Sequence, residues 1–221
     1  MEIDHCLFPE NILYDPDNFV WAKIESDRLV RVGINSVLSS LAGKLSKVNP
    51  KGINLNIVRG RSLCTIESGR YFGVVRSPLT GSIVEINEAV RANPRLVNDY
   101  PYSLGWISLI KSENLDLDNM HLKSIANCRD IIKAQISKLH IRCFVAFPDH
   151  EMFELGVECS STLAKLDELM KQVEIGDVIH IVSDDVTADL EMMRWSEQRS
   201  QPLLEIRQEN NLFHILVRKS S

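Results

Sequence analysis

The chain lacks several features that would assign it to a class at once. No apolar run approaches the ~18 residues that a membrane-spanning helix needs, so we expect no membrane segment. The first residues, Met1 to Asp4, are acidic, and no apolar segment follows a basic start. A secretory signal is therefore not expected, and the expected location is the cytoplasm.

Metal and nucleotide motifs are also missing. The six histidines show neither H-E-x-x-H nor a paired metal spacing, and the ten glycines are too dispersed over 221 residues to suggest a phosphate-binding loop. The five cysteines are scattered and form no C-x-x-C pair. The sequence therefore predicts no metal site and no disulfide framework, and reduced thiols are the default expectation.

Charge is divided unevenly along the chain. Residues 1–112 carry 13 Lys and Arg against 11 Asp and Glu, whereas residues 113–221 carry 12 against 19. An acidic second half argues against nucleic acid, whose phosphates require a basic face. We expect protein partners instead, and the oligomeric state is left open.

The first half of the chain is a succession of short β-prone runs. Between residues 45 and 87 these runs alternate with turn-forming segments, a rhythm typical of a compact β barrel or sandwich. The runs 59–67 and 74–87 flank a glycine between polar residues, which suits a tight hairpin tip. Arg70, directly after that glycine, is therefore predicted to lie at an exposed turn.

The spacing of apolar residues changes after residue 115. Between residues 116 and 139 they recur every three or four positions, which predicts one helix of about 22 residues, roughly 33 Å long. Such a helix could join two domains rigidly while its apolar face packs on one or both of them. The run 141–147 is β-prone, and the sequence does not indicate which domain it joins.

The last third of the chain alternates strands and helices. Its pattern predicts two helices on one small sheet. The predicted strands are 153–157, 178–182, 203–207 and 213–217, and the predicted helices are 160–173 and 187–199.

Cys159 falls between the first of these strands and its helix. Unpaired backbone N–H groups and the helix dipole favour an anion at that position, so a thiol there tends toward the nucleophilic thiolate. The nearby Glu151, Glu154 and Glu158 would oppose this if they lie close to the sulfur. The alternative is that Cys159 is a small buried apolar residue, the commonest role of a lone cysteine.

The other candidate residues favour structural roles. Cys64 and Cys128 are expected in the core, whereas Cys6 and Cys143 have no assignment from the sequence. His150 is near Cys159 in sequence, but it lies in a loop-like segment and is expected to be solvent-exposed rather than part of a Cys–His dyad.

Over about half its length the chain resembles the glycine cleavage H protein family. The hairpin pattern E-S-G-x-aromatic-x-G is closest to an H-like lipoate-binding branch associated with sulfur oxidation. The matching residues occur in the family's order and spacing: Trp21, 30–35, 41–43, 67–68, 77–81, 84–89, 97–98, 101–102 and 105–106. The resemblance implies a β-rich lipoyl-type barrel-sandwich domain over residues 1–115.

In that branch the residue after the glycine is the lysine that carries lipoate, and here it is Arg70. Lipoate attachment needs an amine that can lose its proton and attack an activated acyl group, and a guanidinium stays protonated. No lysine lies between Glu67 and Gly81. We therefore expect no lipoate. Arg70 either contributes charge and shape at a docking site or is a solvated turn residue of a decayed domain.

The last part of the chain resembles the TusA family of sulfur carriers. The shared features are 155–159 (L-G-V-E-C), 175–177 (I-G-D), 183–185 (S-D-D) with Asp189, and the terminal run 213–219. The resemblance implies two helices on a four-stranded sheet over residues 148–221, with 116–147 as a helical linker. In the family the cysteine at the position of Cys159 carries a persulfide. Here Ser160 replaces the proline that follows it.

Together the two resemblances predict an α+β protein of sulfur trafficking. Cys159 would carry persulfide sulfur, and the H-like domain, without lipoate, would dock to proteins of sulfur transfer or lipoate-dependent metabolism. The alternative is a non-catalytic adaptor or regulatory subunit with an inert Cys159. A true glycine cleavage H protein would need a lysine where Arg70 stands.

Overall fold

The computed structural model describes residues 1–26 and 28–221, and it contains two compact units, Met1–Cys143 and Phe144–Ser221. The strands of the first unit are β1 Glu2–Ile3, β2 Cys6–Leu7, β3 Leu13–Asp15, β4 Val20–Ser26, β5 Leu29–Ile34, β6 Leu45–Pro50, β7 Asn56–Ile57, β8 Ser62–Ser68, β9 Phe72–Arg76, β10 Gly81–Ile86 and β11 Ser108–Ser112. Its helices are α1 Ser36–Ala42, α2 Glu88–Ala92, α3 Arg95–Asp99, α4 Leu115–Asn119 and α5 Ile125–Lys138, and a 3-10 turn spans Pro16–Asn18. The second unit contains β12 His150–Glu154, α6 Cys159–Met170, β13 Val178–Ser183, α7 Ala188–Arg199, β14 Leu203–Glu209 and β15 Leu212–Arg218.

The first unit is β-rich and is built on two main sheets. One has six strands in the order β3-β4-β5-β11-β10-β7, the other has three in the order β6-β8-β9, and β1 and β2 form a separate small pair. Among the described residues neither main sheet closes into a barrel. The β-rich architecture predicted from the sequence is confirmed, in an open form.

The hairpin predicted around Arg70 is present. Strands β8 and β9 pair antiparallel, with Glu67 opposite Phe72 and Ile66 opposite Gly73. The side chain of Ile66 is fully buried and that of Phe72 is exposed. Ile66 lies opposite Gly73, the neighbour of Phe72, and successive residues of a strand point to opposite faces. The alternation leaves one face of the hairpin in the core and the other in solvent.

The long helix predicted over residues 116–139 is wrong in extent. Two helices, α4 and the 14-residue α5, occupy this stretch. Between them Lys123 pairs with Tyr14, through backbone hydrogen bonds of 2.8 and 2.9 Å, and Ser124 caps α5. The extended pairing at Lys123 cannot be accommodated in a helix. Among the described residues no helix has the length and apolar composition of a membrane span.

Helix α5 packs into the core of the first unit. Cys128 and Ile132 are buried in a cluster that also contains Phe8, Tyr14 and Trp21. The first compact unit therefore continues to Cys143, beyond the limit of 115 that the sequence suggested. The run 141–147, which the sequence marked as β-prone, forms no strand.

Cys6 and Cys143 form a disulfide, with their Cα atoms 5.0 Å apart. The expectation of reduced thiols throughout is thus wrong for this pair. The two residues are 137 positions apart in sequence, so their spacing gave no indication of pairing. They meet because α5 and the β1–β2 hairpin pack on one another in the same core.

The second unit matches its predicted architecture of two helices on a four-stranded sheet. The strand order is β12-β13-β15-β14, with β12 and β13 parallel and the other pairs antiparallel. Leu166 of α6 and Met192 of α7 pack against Ile181 and Ile215 of the sheet. Strand β12 begins three residues earlier than predicted, because Met152 is the position that faces the core.

We expect the disulfide to stabilise the first unit by about 2 to 5 kcal/mol, because it closes a loop that spans most of that unit. Cys6→Ser should lower the free energy of unfolding by that amount, as measured by urea titration. A reductant should destabilise wild type and leave the variant unchanged. Equal sensitivity of both proteins to the reductant would contradict the assignment.

Candidate functional site

The tip of the β8–β9 hairpin is fastened to the C-terminal end of α1. The Ser68 hydroxyl donates to the Ala42 carbonyl at 2.6 Å, and the Arg70 guanidinium donates to the Ser40 carbonyl at 3.3 Å. Carbonyl groups at a helix C-terminus attract cations, so a guanidinium is well placed there. Arg70 is exposed, as predicted, and its side chain lies against the end of α1.

Gly43, which ends α1, makes room for this arrangement. Its φ is +77°, a conformation that favours glycine, and a Cβ there would lie 2.7 Å from Nε of Arg70. The close approach makes Arg70 a folded-back side chain in this structure. A long flexible arm on an extended lysine would have a different geometry.

A lysine that is distant in sequence lies near the hairpin tip in the fold. Lys47 of β6 lies opposite Glu67 in the three-stranded sheet, and its Nζ is 3.1 Å from a carboxylate oxygen of Glu67. The pairing crosses two strands, so a search along the chain cannot detect it. Lys47 is engaged in an exposed ion pair on β6 and does not take the place of Arg70 at the tip.

Cys159 is the first residue of α6 and is 5% exposed. Its backbone N–H donates to Asp185 Oδ2 at 2.8 Å. The other oxygen of Asp185 accepts from the N–H and the hydroxyl of Thr187 at 2.8 and 2.7 Å. These bonds hold the pKa of the Asp185 carboxyl below its usual value, so the group is ionised at neutral pH. A carboxylate therefore already supplies a negative charge at the helix start, where a thiolate would otherwise be favoured.

The Cys159 thiol is consequently neutral in this conformation. Burial, followed by the negative charges of Asp185 and Glu191, raises the pKa of the thiol to about 11. The helix start predicted a lowered pKa for this thiol, whereas in the structure the pKa is raised. The sequence did anticipate opposing carboxylates but named the wrong ones, since Glu154 is buried in an ion pair with Lys165.

Two turns are joined by hydrogen bonds at the start of α6, one before Cys159 and one after β13. Cys159 is not part of the apolar core of its unit, and Asp184 secures the loop before α6 by accepting the N–H of Gly156 at 2.8 Å. Exposed apolar side chains flank these loops, with Leu155 54% and Val186 84% exposed. Cys159 thus lies outside the main apolar cluster of its unit and beside two turns that carry exposed apolar side chains.

The remaining cysteines and His150 do not contribute to a reactive site. Cys64 and Cys128 are each 1% exposed and lie in the core as predicted, and burial raises the pKa of both thiols, to about 12 for Cys64. His150 is half-buried, and its ring binds the Asp177 carboxylate at 2.9 Å. It forms no hydrogen bond with Cys159.

A buried histidine pair was missed by the sequence reasoning. His180 and His214 lie on adjacent strands, with ring nitrogens 2.9 Å apart and exposures of 5% and 2%. The ring of Phe144 lies 4.5 Å from that of His180. Ile179 and Ile181 point into the core, so His180 between them points to the opposite face of the sheet. This alternation is the signal from which the position of His180 could have been predicted.

These features define a two-module protein, a lipoyl-type β-rich unit with an arginine at its hairpin tip and a two-helix sheet unit with a cysteine at a helix start. The chain belongs to the glycine cleavage H-protein family, whose model matches residues 12–135. The model of the sulfurtransferase TusA family matches residues 154–219.

Curated relatives agree with the first of these matches. Glycine cleavage system H protein 5 of Aquifex aeolicus is 36% identical over 64% of this chain and 98% of its own length. Probable glycine cleavage system H protein 2 of Sulfurisphaera tokodaii is 40% identical over 51% of this chain and 77% of its own length. A solved H protein from Mycobacterium marinum aligns over 61% of this chain and 100% of its own, with 22% identity and a TM-score of 0.48.

We expect Asp185→Asn to make Cys159 more reactive. The amide keeps an acceptor for the Cys159 N–H but removes a negative charge, so the pKa of the thiol should fall from about 11. Alkylation of Cys159 at pH 8 should accelerate by roughly three- to fourfold for each unit of that fall, because the gain in thiolate fraction is partly offset by the lower nucleophilicity of a less basic sulfur. The pH–rate profile, read by mass spectrometry of the Cys159 peptide, measures this.

Glu197→Gln is the matched control, since it removes one exposed carboxylate from α7, the helix that follows the Asp185 turn. Its profile should equal that of wild type. A profile for Asp185→Asn that coincides with wild type would show that Asp185 does not restrain the thiol.

Proposed function

We propose that the chain is a sulfur-trafficking protein in which Cys159 carries sulfur as a persulfide. The observation that supports this most is the match of the second unit to a sulfurtransferase family, with Cys159 at the start of α6. The matched segment has two helices on a four-stranded sheet, which the resemblance implied for such carriers. Cys159 is also the most exposed residue of the three free cysteines, at 5% against 1% for each of the other two.

The transfer step is an exchange between sulfur atoms with no net oxidation. The thiolate of Cys159 attacks the outer sulfur of a donor persulfide, R–S–SH. The donor S–S bond breaks, R–S⁻ leaves and takes up a proton, and Cys159–S–SH is formed. Delivery to an acceptor thiol repeats the same exchange, with Cys159 as the leaving thiolate.

The thiolate required for this step is favoured when the sulfur becomes exposed and Asp185 moves, because burial and then this carboxylate raise the pKa of the thiol. When the carboxylate withdraws, the positive end of the α6 dipole becomes available to an anion on sulfur. The turn after β13 carries the exposed Val186, which a partner can contact. Docking would then couple exposure of the thiol to its deprotonation, and the resting protein would stay inert toward other electrophiles.

The first unit would dock the chain to partners that normally receive a lipoyl protein. Arg70 occupies the position of the lipoyl lysine and offers no acylatable amine, so we propose that the protein carries no lipoate. We place it in the cytoplasm. Disulfides are rare in the cytoplasm except in hyperthermophiles. The redox state of Cys6 and Cys143 in the cell is therefore a test of the proposed location.

A second candidate function, a non-catalytic adaptor, is favoured by one observation. Cys159 is 5% exposed and its pKa is raised, as expected for a structural cysteine. In that case both units would be retained for their surfaces, and Asp185 would serve only as part of a structural turn.

Intact mass spectrometry after incubation with a persulfide donor separates the two functions. Wild type and the Cys64→Ser/Cys128→Ser double variant should each gain one sulfur atom, and Cys159→Ser should gain none. Labelling of Cys159→Ser to the wild-type level, or no labelling of any protein, would favour the adaptor. The mass of protein from its native cell should show no lipoyl group, and a lipoyl adduct would overturn the proposed role of Arg70.

A further inference from the structure

Strand β9 forms an open edge of the first unit. The order β6-β8-β9 leaves β9 paired on one side only. On its solvent face Phe72 is 68% and Val74 43% exposed. Proteins commonly protect such edges with lysine, proline or a bulge. Strand β9 contains no lysine or proline, and the irregularity in its ladder lies on β8, between Ser62 and Cys64. The open backbone edge of β9, beside exposed apolar side chains, is suited to pairing with another strand.

The backbone groups at this edge can be assigned from the ladder. The Ser68 N–H donates to the Tyr71 carbonyl at 2.8 Å, which makes this a hydrogen-bonded pair. Because hydrogen-bonded and non-hydrogen-bonded pairs alternate in antiparallel sheets, Gly73 bonds to β8. The N–H and C=O groups of Phe72 and Val74 then point away from β8, toward the open edge.

Three arginines lie at the C-terminal end of β9. Arg76 is the last residue of the strand, and its guanidinium donates to the Gly60 carbonyl at 2.9 Å, between Arg59 and Arg61. The Ser77 N–H donates to the Arg61 carbonyl at 2.8 Å, which holds this turn beside the strand end. Within the described residues none of the three arginines forms an ion pair.

We propose that β9 is a docking edge for an extended, acidic segment of a partner protein. The segment would add as a fourth strand, with main-chain bonds to Phe72 and Val74 and its carboxylates near Arg61 and Arg76. A second copy of this chain fits less well, since its β9 carries no carboxylate to face the arginines. The proposal deepens the docking role of the first unit and rests on it, but it does not depend on Cys159.

Two labelled peptides test this on the full chain, one alternating valine with glutamate and one alternating valine with lysine. Fluorescence anisotropy should show binding of the glutamate peptide only. Val74→Pro should raise its Kd by about tenfold or more, because proline removes an edge donor that the sheet does not use. Arg76→Glu should reverse the preference between the peptides, and Lys51→Glu, an exposed charge outside the edge, should change nothing.

Hydrogen exchange provides a second measurement if Val74→Pro fails to fold. In wild type, saturating glutamate peptide should protect the amides of Phe72 and Val74, which exchange rapidly in the free protein. No protection, equal binding of both peptides, or a folded Val74→Pro with unchanged affinity would each overturn the proposal. Concentration-dependent dimerisation that Val74→Pro abolishes, without peptide binding, would assign the edge to a second copy.

Sulfur loading of Cys159 is measured in parallel on Val74→Pro. Loss of peptide binding with normal loading would confirm that the edge is separate from the sulfur site. Normal peptide binding with no loading of wild type would refute the carrier function and leave the docking edge intact.

Discussion

The hydrogen bond from the Cys159 amide to the Asp185 carboxylate is the interaction on which the chemistry of this protein depends. A helix start normally stabilises an anion, and here the anion is already supplied by the protein. The same carboxylate bonds twice to Thr187 within its own turn, and its bond to the Cys159 amide joins that turn to the start of α6. Burial, together with this negative charge, raises the pKa of the thiol and keeps the sulfur neutral.

In the first unit the hairpin tip is also held by contacts with the end of a helix. Its arginine lies over Gly43 and contacts the last carbonyls of α1, where a cation is favoured. The position keeps its shape and charge but has no group that can be acylated. The hairpin tip is thus held against the end of α1, and we propose Cys159 as the site of group transfer in its place.

Much of the fold could be predicted because its signals are local. The hairpin followed from one glycine between two β-prone runs, and the second unit followed from alternating strand and helix periods. The errors arose where distant segments meet. The Cys6–Cys143 bond and the pairing of Lys123 with Tyr14 join residues that only the folded core brings together.

For the candidate site, the sequence predicted the positions of the key residues but not the ionisation state of the thiol. Cys159 was located at the helix start by its flanking pattern, and Arg70 at the turn by its glycine. The state of the thiol could not be read from the sequence, because it depends on which carboxylate reaches the amide. Asp185 is 26 residues away, and three glutamates are nearer along the chain. Proximity in sequence therefore selected the wrong neighbours.

The most direct test of the account is to locate the sulfur at residue level. Wild-type protein is incubated with a donor persulfide whose outer sulfur is isotopically labelled, alkylated without reduction, digested and sequenced by tandem mass spectrometry. The account predicts the label on Cys159 alone. Label on Cys64, on Cys128 or on either cysteine of the disulfide, with Cys159 unlabelled, would contradict it.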